Sequence, residues 1–163
     1  MSTVAVTSGL GALPSRFRRE RLLIVGYGDV GQRMARNLLT GPGAQRLRVL
    51  ALTSQAERVG SLRAQGVTPL VGNLDHAATL RRLSGLATRV VHLAPPPGEG
   101  GGGAAWWRDP RTVALARALR LRSLPVSLVY ASTSGVYGDC AGALVAETRT
   151  VAPGTPRAQR RVN

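Results

Sequence analysis

Three glycines, Gly26, Gly28 and Gly31, follow the apolar run Leu22-Leu23-Ile24-Val25 in the order G-x-G-x-x-G and lead into a helical pattern. Such spacing suits the holding of a diphosphate by peptide nitrogens. The first glycine permits a tight turn, the second lets a pyrophosphate approach the backbone, and the third allows a helix to pack closely on the strand. A helix beginning near Asp29 would aim unpaired N–H groups and the positive end of its dipole at a phosphate, with no need for a basic side chain. The natural ligand is a dinucleotide, with Gly26, Tyr27, Gly28, Asp29, Val30 and Gly31 around its diphosphate. In a chain with 20 glycines among 163 residues, a sharp strand-to-helix turn without a ligand is the competing reading.

Cofactor choice would be made after the second strand, where an acid accepts the ribose hydroxyls of NAD and a basic residue accommodates the extra phosphate of NADP. No acid stands between Asp29 and Glu57. Thr53, Ser54 and Arg58 therefore favour NADP, with NAD as the second choice; a solvent-facing Arg58 is the plain alternative. His92 falls in an apolar strand and reads as a core histidine, and His76 as a helix-start residue. Neither has metal-ligand spacing.

The elements that must position these residues alternate. Apolar runs predict strands over 21–25, 47–52, 67–71, 89–94 and 126–130. Helical patterns fall over 29–39, with Val30, Met34 and Leu38 as its apolar face, and over 55–65, 77–83 and 111–122. Asp29 and Arg33, four apart with the acid first, can pair on the first helix. This pattern specifies an α/β Rossmann-like parallel sheet of about five strands in the order 3-2-1-4-5, with helices on both faces. The segments 26–31, 53–54, 72–75, 94–97 and 132–134 then share the carboxyl-terminal edge, where ligands bind in such sheets. Residues 97–103 read as a low-complexity loop, and Trp106 and Trp107 as anchors for it.

Composition narrows the function classes. The formal charge is +14, and all 22 basic residues are arginine, so any mechanism that needs a lysine of this chain is excluded. The charge invites a polyanion. Scattered arginines, 4% aromatic content and the lack of a recognisable module argue against specific nucleic-acid binding. Cys140 is the single cysteine, so no internal disulfide forms and a cytoplasmic location is the expectation. Residues 1–20 read as a disordered leader and 21–163 as one domain, and no stretch has the length of a membrane span.

The segment Leu128-Val129-Tyr130-Ala131-Ser132-Thr133-Ser134-Gly135-Val136-Tyr137-Gly138-Asp139 resembles the strand-five signature of the extended short-chain dehydrogenase/reductases, the NAD-dependent epimerases and dehydratases. Gly72-Asn73-Leu74-Asp75 is similar to that family's segment after strand three, and Val91-His92-Leu93-Ala94 to its strand four. The resemblance runs from about Arg21 to the end of the chain. It implies that Asn73 and Leu74 lie by the adenine, that Ala94 and Pro95 line the cofactor, and that Thr133 holds the reacting hydroxyl or carbonyl of a small-molecule carbonyl or nucleotide-sugar substrate.

The family's Tyr-x-x-x-Lys pair falls on Thr155-Pro156-Arg157-Ala158-Gln159-Arg160-Arg161, so Arg157 takes the place of the tyrosine and Arg161 that of the lysine. Arginine stays protonated and serves poorly as a general acid or base. Tyr137 reads as a packing residue of its turn. Arg157, Arg160 and Arg161 either hold a phosphate or form a solvated basic tail. The departure points to atypical members that keep the nucleotide fold without the relay, and the chain reads as a shortened form without the family's carboxyl-terminal substrate region. An impaired oxidoreductase of epimerase/dehydratase type is the leading expectation. A noncatalytic NADP-binding regulatory module comes next, and a basic nucleic-acid-associated protein last. Family dimers pair helices beside strands four and five, one of them incomplete here, which leaves homodimer and monomer equally open.

Overall fold

The computed structural model describes residues 19–97 and 108–162 of the 163-residue chain. Trp106, Trp107, nearly all of the glycine-rich loop and nearly all of the expected leader lie outside the described residues. The elements run β1 (Glu20–Val25), α1 (Asp29–Thr40), β2 (Leu47–Thr53), α2 (Val59–Ala64), β3 (Thr68–Val71), α3 (Ala77–Leu80), β4 (Arg89–His92), α4 (Pro110–Leu119), β5 (Ser127–Tyr130) and α5 (Pro156–Val162). Short 3-10 turns precede β2 and α2, follow α3, and cover Ser134–Tyr137 after β5.

The five strands form one sheet in the order β3-β2-β1-β4-β5, and each neighbouring pair is parallel. This is the expected doubly wound Rossmann-like arrangement. β1 is central because its four residues from Leu22 to Val25 are buried on both faces, which only a strand covered by helices on each side tolerates. Alternate side chains then build two cores. Leu23 and Val25 join Leu50, Leu52 and Val90 under Leu80, Leu115, Ala118 and Leu119 of α3 and α4. Leu22 and Ile24 join Val49, Ala51 and Val91 under Ala35 and Leu62 of α1 and α2.

The strand order puts a change of winding direction between β1 and β4, since the chain moves outward through β2 and β3 and then crosses back. In doubly wound sheets ligands bind at this point, beyond the carboxyl ends of the strands. β5 is one of the two edge strands, and its Leu128 and Val129, which point to opposite faces, are both exposed.

Some local expectations change. Val30 does not belong to the buried face of α1: it is 65% exposed, and the helix buries Gly31 and Ala35 instead. The reason is close packing, since a helix that touches the sheet through a glycine and an alanine swings its larger neighbour outward. β4 ends at His92 rather than at residue 94, because Leu93 and Ala94 both turn their N–H groups to the Val25 carbonyl and leave the ladder. The Asp29–Arg33 pair forms at 3.0 Å on the surface of α1, where such pairs contribute little to stability.

Candidate functional site

The glycine turn between β1 and α1 separates the three glycines by what each would meet as another residue. Gly26 has φ +94°, and a Cβ there would lie 2.4 Å from the Ala94 nitrogen. β1 and the end of β4 therefore approach too closely for any side chain. A Cβ on Gly31 would stand 2.9 Å from the Gly26 carbonyl oxygen and 3.2 Å from Ile24 Cγ2, so this glycine brings α1 down onto the strand.

Gly28 differs from both. Its backbone is extended (φ −84°, ψ −158°), and a Cβ would meet nothing within 4 Å. The protein's own packing does not require a glycine at this position. Gly28 is also the N-cap of α1, and no side chain caps that end. The early N–H groups of a 12-residue helix thus lack a side-chain acceptor beside an open glycine, the arrangement that receives an anion. Exposed Asp29 and Val30 flank this opening.

Tyr27 turns the other way. Its ring is 3% exposed in the core beneath α2, its hydroxyl donates to Gln65 Oε1 at 3.2 Å, and burial raises its pKa against the opposing pull of Arg58 and Arg36. Only its backbone belongs to the turn. Arg58 reaches back from the 3-10 turn before α2 and donates from Nη2 to the Tyr27 carbonyl at 3.0 Å. A guanidinium is thereby fixed beside the glycine turn on the β2 side, instead of trailing in solvent. Ser54 is exposed nearby, whereas the Thr53 hydroxyl is tied to its own loop by the Gln55 N–H at 3.1 Å.

After β3, Asn73 closes an Asx turn, accepting the Asp75 N–H at 2.9 Å, and Leu74 packs partly against the core. Asp75 forms a two-pronged ion pair with Arg111, with Nε and Nη2 each at 2.7 Å from a carboxylate oxygen. That pairing holds the Asp75 carboxyl below its usual range, with the hydrogen bond from Arg111 as the main cause. Arg111 also donates to the Pro95 carbonyl at 3.2 Å, joining the ends of β3 and β4.

Beneath β4, His92 is fully buried. Its Nε2 lies 3.0 Å from the Thr112 hydroxyl, which donates to Asp109 Oδ2 at 2.6 Å. Asp109 in turn caps α4 by accepting the Arg111 N–H. The sequence expectation of a core histidine describes this position. Burial lowers the His92 pKa, with Asp109 opposing and Arg161 reinforcing, so the ring is held neutral.

Thr133 is exposed at the head of the 3-10 turn after β5, where its hydroxyl accepts the Gly135 N–H at 3.4 Å. Arg157 is exposed on α5. Its neighbours do not form a solvated tail. Arg160 is 8% exposed and donates to the Pro97 carbonyl at 2.9 Å. Arg161 donates to the carbonyls of Ala131 and Ala94, the latter at 2.9 Å, and its guanidinium lies 4.5 Å over the Tyr130 ring. Sequence reasoning missed this clamp. The available signal was position: Arg161 falls where the short-chain dehydrogenase/reductase pattern that the sequence resembles has its lysine.

The carboxyl-terminal edge thus brings together Gly26–Gly31, Ala94, Pro95, Ala131 and Arg161, with Arg58 on the β2 side. No group of three or more His, Cys, Asp or Glu side chains among the described residues could hold a metal ion. Among those residues, no helix is long and apolar enough to cross a membrane.

The family model of the TrkA-N domain matches residues 22–94. No curated protein matches the chain. Solved structures do. A conserved protein of unknown function from Silicibacter pomeroyi DSS is 26% identical, superposes with a TM-score of 0.61, and is matched over 88% of this chain and 45% of its own. An ADP-L-glycero-D-manno-heptose-6-epimerase from Helicobacter pylori is 18% identical with a TM-score of 0.64, over 92% of this chain and 50% of its own. A dTDP-glucose 4,6-dehydratase double mutant from Streptomyces venezuelae, with NAD bound, is 23% identical with a TM-score of 0.64, over 87% and 48%. The chain spans about half the length of these solved structures. It folds as a Rossmann-like α/β domain, and it shares that fold with the solved epimerase and dehydratase structures.

Proposed function

We propose that the chain binds NADP, or NAD less tightly, beyond the carboxyl ends of β1 and β4. The observation that carries this reading is Gly28, a glycine with an ordinary backbone and open space where its side chain would be, at the uncapped start of α1. Ligand access explains a glycine that packing does not need. The N–H groups of Gly28, Asp29 and Val30 would hold its diphosphate. Arg58, held beside the turn by the Tyr27 carbonyl, supports the choice of NADP, because its charge suits a ribose phosphate and no acid precedes Glu57 in this region.

When bound, such a cofactor supplies or accepts a hydride at its nicotinamide ring. The chain's own residues provide orientation more than proton transfer. By the resemblance, Arg157 and Arg161 take the places of the tyrosine and lysine of short-chain dehydrogenase/reductases, and a permanently charged guanidinium exchanges no proton near neutrality. Exposed Thr133 is the side chain we assign to hydrogen-bond a substrate hydroxyl or carbonyl. We therefore read the domain as oxidoreductase-like and catalytically impaired. A noncatalytic regulatory module is the second reading, favoured by the way Arg161 is spent on backbone carbonyls. Titration with NADPH and NADH tests the proposal. Saturable binding is expected, tighter for NADPH, and Gly28→Val should abolish it; unchanged affinity in that variant refutes the assignment.

A further inference from the structure

We infer that Arg161 makes the site selective for the reduced cofactor, NADPH or NADH, over its oxidised form. This rests on the dinucleotide reading above. In a doubly wound sheet the diphosphate sits at the glycine turn and the adenosine ribose on the β2 side, so the nicotinamide nucleoside extends over the ends of β4 and β5. Arg161 is fixed at that place: one guanidinium nitrogen is on the Ala94 carbonyl after β4, another is on the Ala131 carbonyl after β5, and the group stacks on Tyr130.

The ion pairs among the described residues are Arg33–Asp29, Arg89–Glu20 and Arg111–Asp75, and none includes Arg161. Asp75 is paired with Arg111, and Asp109, hydrogen-bonded by the Thr112 hydroxyl and the Arg111 N–H, makes no ion pair with Arg161. His92, edge-on to Tyr130 with ring centres 5.3 Å apart, is held neutral. The guanidinium also occupies two carbonyl oxygens that would otherwise face a positive ring favourably.

Oxidised nicotinamide carries a positive charge on its ring and dihydronicotinamide carries none, while the phosphates are the same in both. Attraction of Arg161 to the phosphates therefore cancels in the comparison, and repulsion of the oxidised ring remains. For unit charges within about 10 Å at an effective dielectric near 20, that repulsion corresponds to roughly tenfold or more in affinity. The device is electrostatic and needs no conformational change.

The test measures dissociation constants of the full chain for NADPH and NADP+, by fluorescence titration and by competition. NADPH should bind roughly tenfold or more tightly. In R161Q the two affinities should converge to within about threefold, with most of the change on the NADP+ side. R161K keeps the charge and should keep the preference; it decides the matter where R161Q does not fold. Equal affinities in the wild-type chain, or an unchanged ratio in folded R161Q, overturn the inference while leaving the dinucleotide site standing. Binding of neither form, or binding indifferent to Gly28→Val, removes the underlying reading and this inference together.

Discussion

The glycine turn makes a prediction in which stability and binding separate. Gly26→Ala places a methyl group 2.4 Å from the Ala94 nitrogen and 2.7 Å from its Cα, at φ +94°. The obstruction is backbone at the end of a central strand pair, so it cannot move aside as a flexible side chain would. Left-handed backbone costs an L residue roughly 1–2 kcal/mol, and forcing a methyl into a filled site adds about 1–3 kcal/mol. A loss of about 3 kcal/mol would lower Tm by roughly 6–12 °C in a domain of this size. Gly28→Val meets open space on extended backbone, so its cost is limited to a poorer N-cap, about 1 kcal/mol or less. Thermal melting with and without NADPH reads both effects. At a hundredfold excess over Kd, NADPH should stabilise the wild type by about 2.7 kcal/mol and leave Gly28→Val unmoved. Gly28→Val melting as low as Gly26→Ala would show that Gly28 serves packing, and the argument from open space would fail.

Other consequences are checked in the same way. His92 is held neutral by burial, so the unfolded chain takes up a proton at a higher pH than the folded one; stability is full above the ordinary histidine value of about 6.5 and declines as pH falls from there toward the lowered folded value. Denaturant unfolding between pH 7.5 and 5 should show this decline, and His92→Asn should flatten it; an unchanged slope counts against the assignment. Thr112→Val leaves His92 Nε2 and Asp109 Oδ2 without their hydroxyl partner and should cost about 1–3 kcal/mol in urea unfolding, whereas a neutral result would mean the relay is not closed. Arg58→Gln should reduce the preference for NADPH over NADH by roughly tenfold with little change for NADH, as expected for one lost charge-assisted contact to phosphate; equal losses for both cofactors would assign Arg58 to the glycine turn alone.

Much was legible in the chain itself, because the signals were local. The apolar run before Gly26 fixes a buried central strand, strands alternating with helical patterns fix a parallel sheet, and parallel crossovers of one hand leave few strand orders. Order and approximate bounds of the elements follow from these rules alone. The glycine spacing likewise marks the turn, since a backbone that must bend sharply and admit close neighbours leaves few residue choices.

Tertiary structure decided what each of those residues does there. One spacing places Gly26 against the Leu93–Ala94 backbone just after β4, Gly31 against β1 and Gly28 against nothing, a difference set by strands and helices distant in sequence. Val30 reads as core by helical periodicity, yet the helix rests on its smallest residues and turns Val30 outward. The arginines of α5 look like a charged tail until the chain returns over the sheet and brings Arg161 to carbonyls 30 and 67 residues away. Such contacts depend on distance in space between segments that carry no mark of one another, and periodicity, which compares a residue only with its near neighbours, does not encode them.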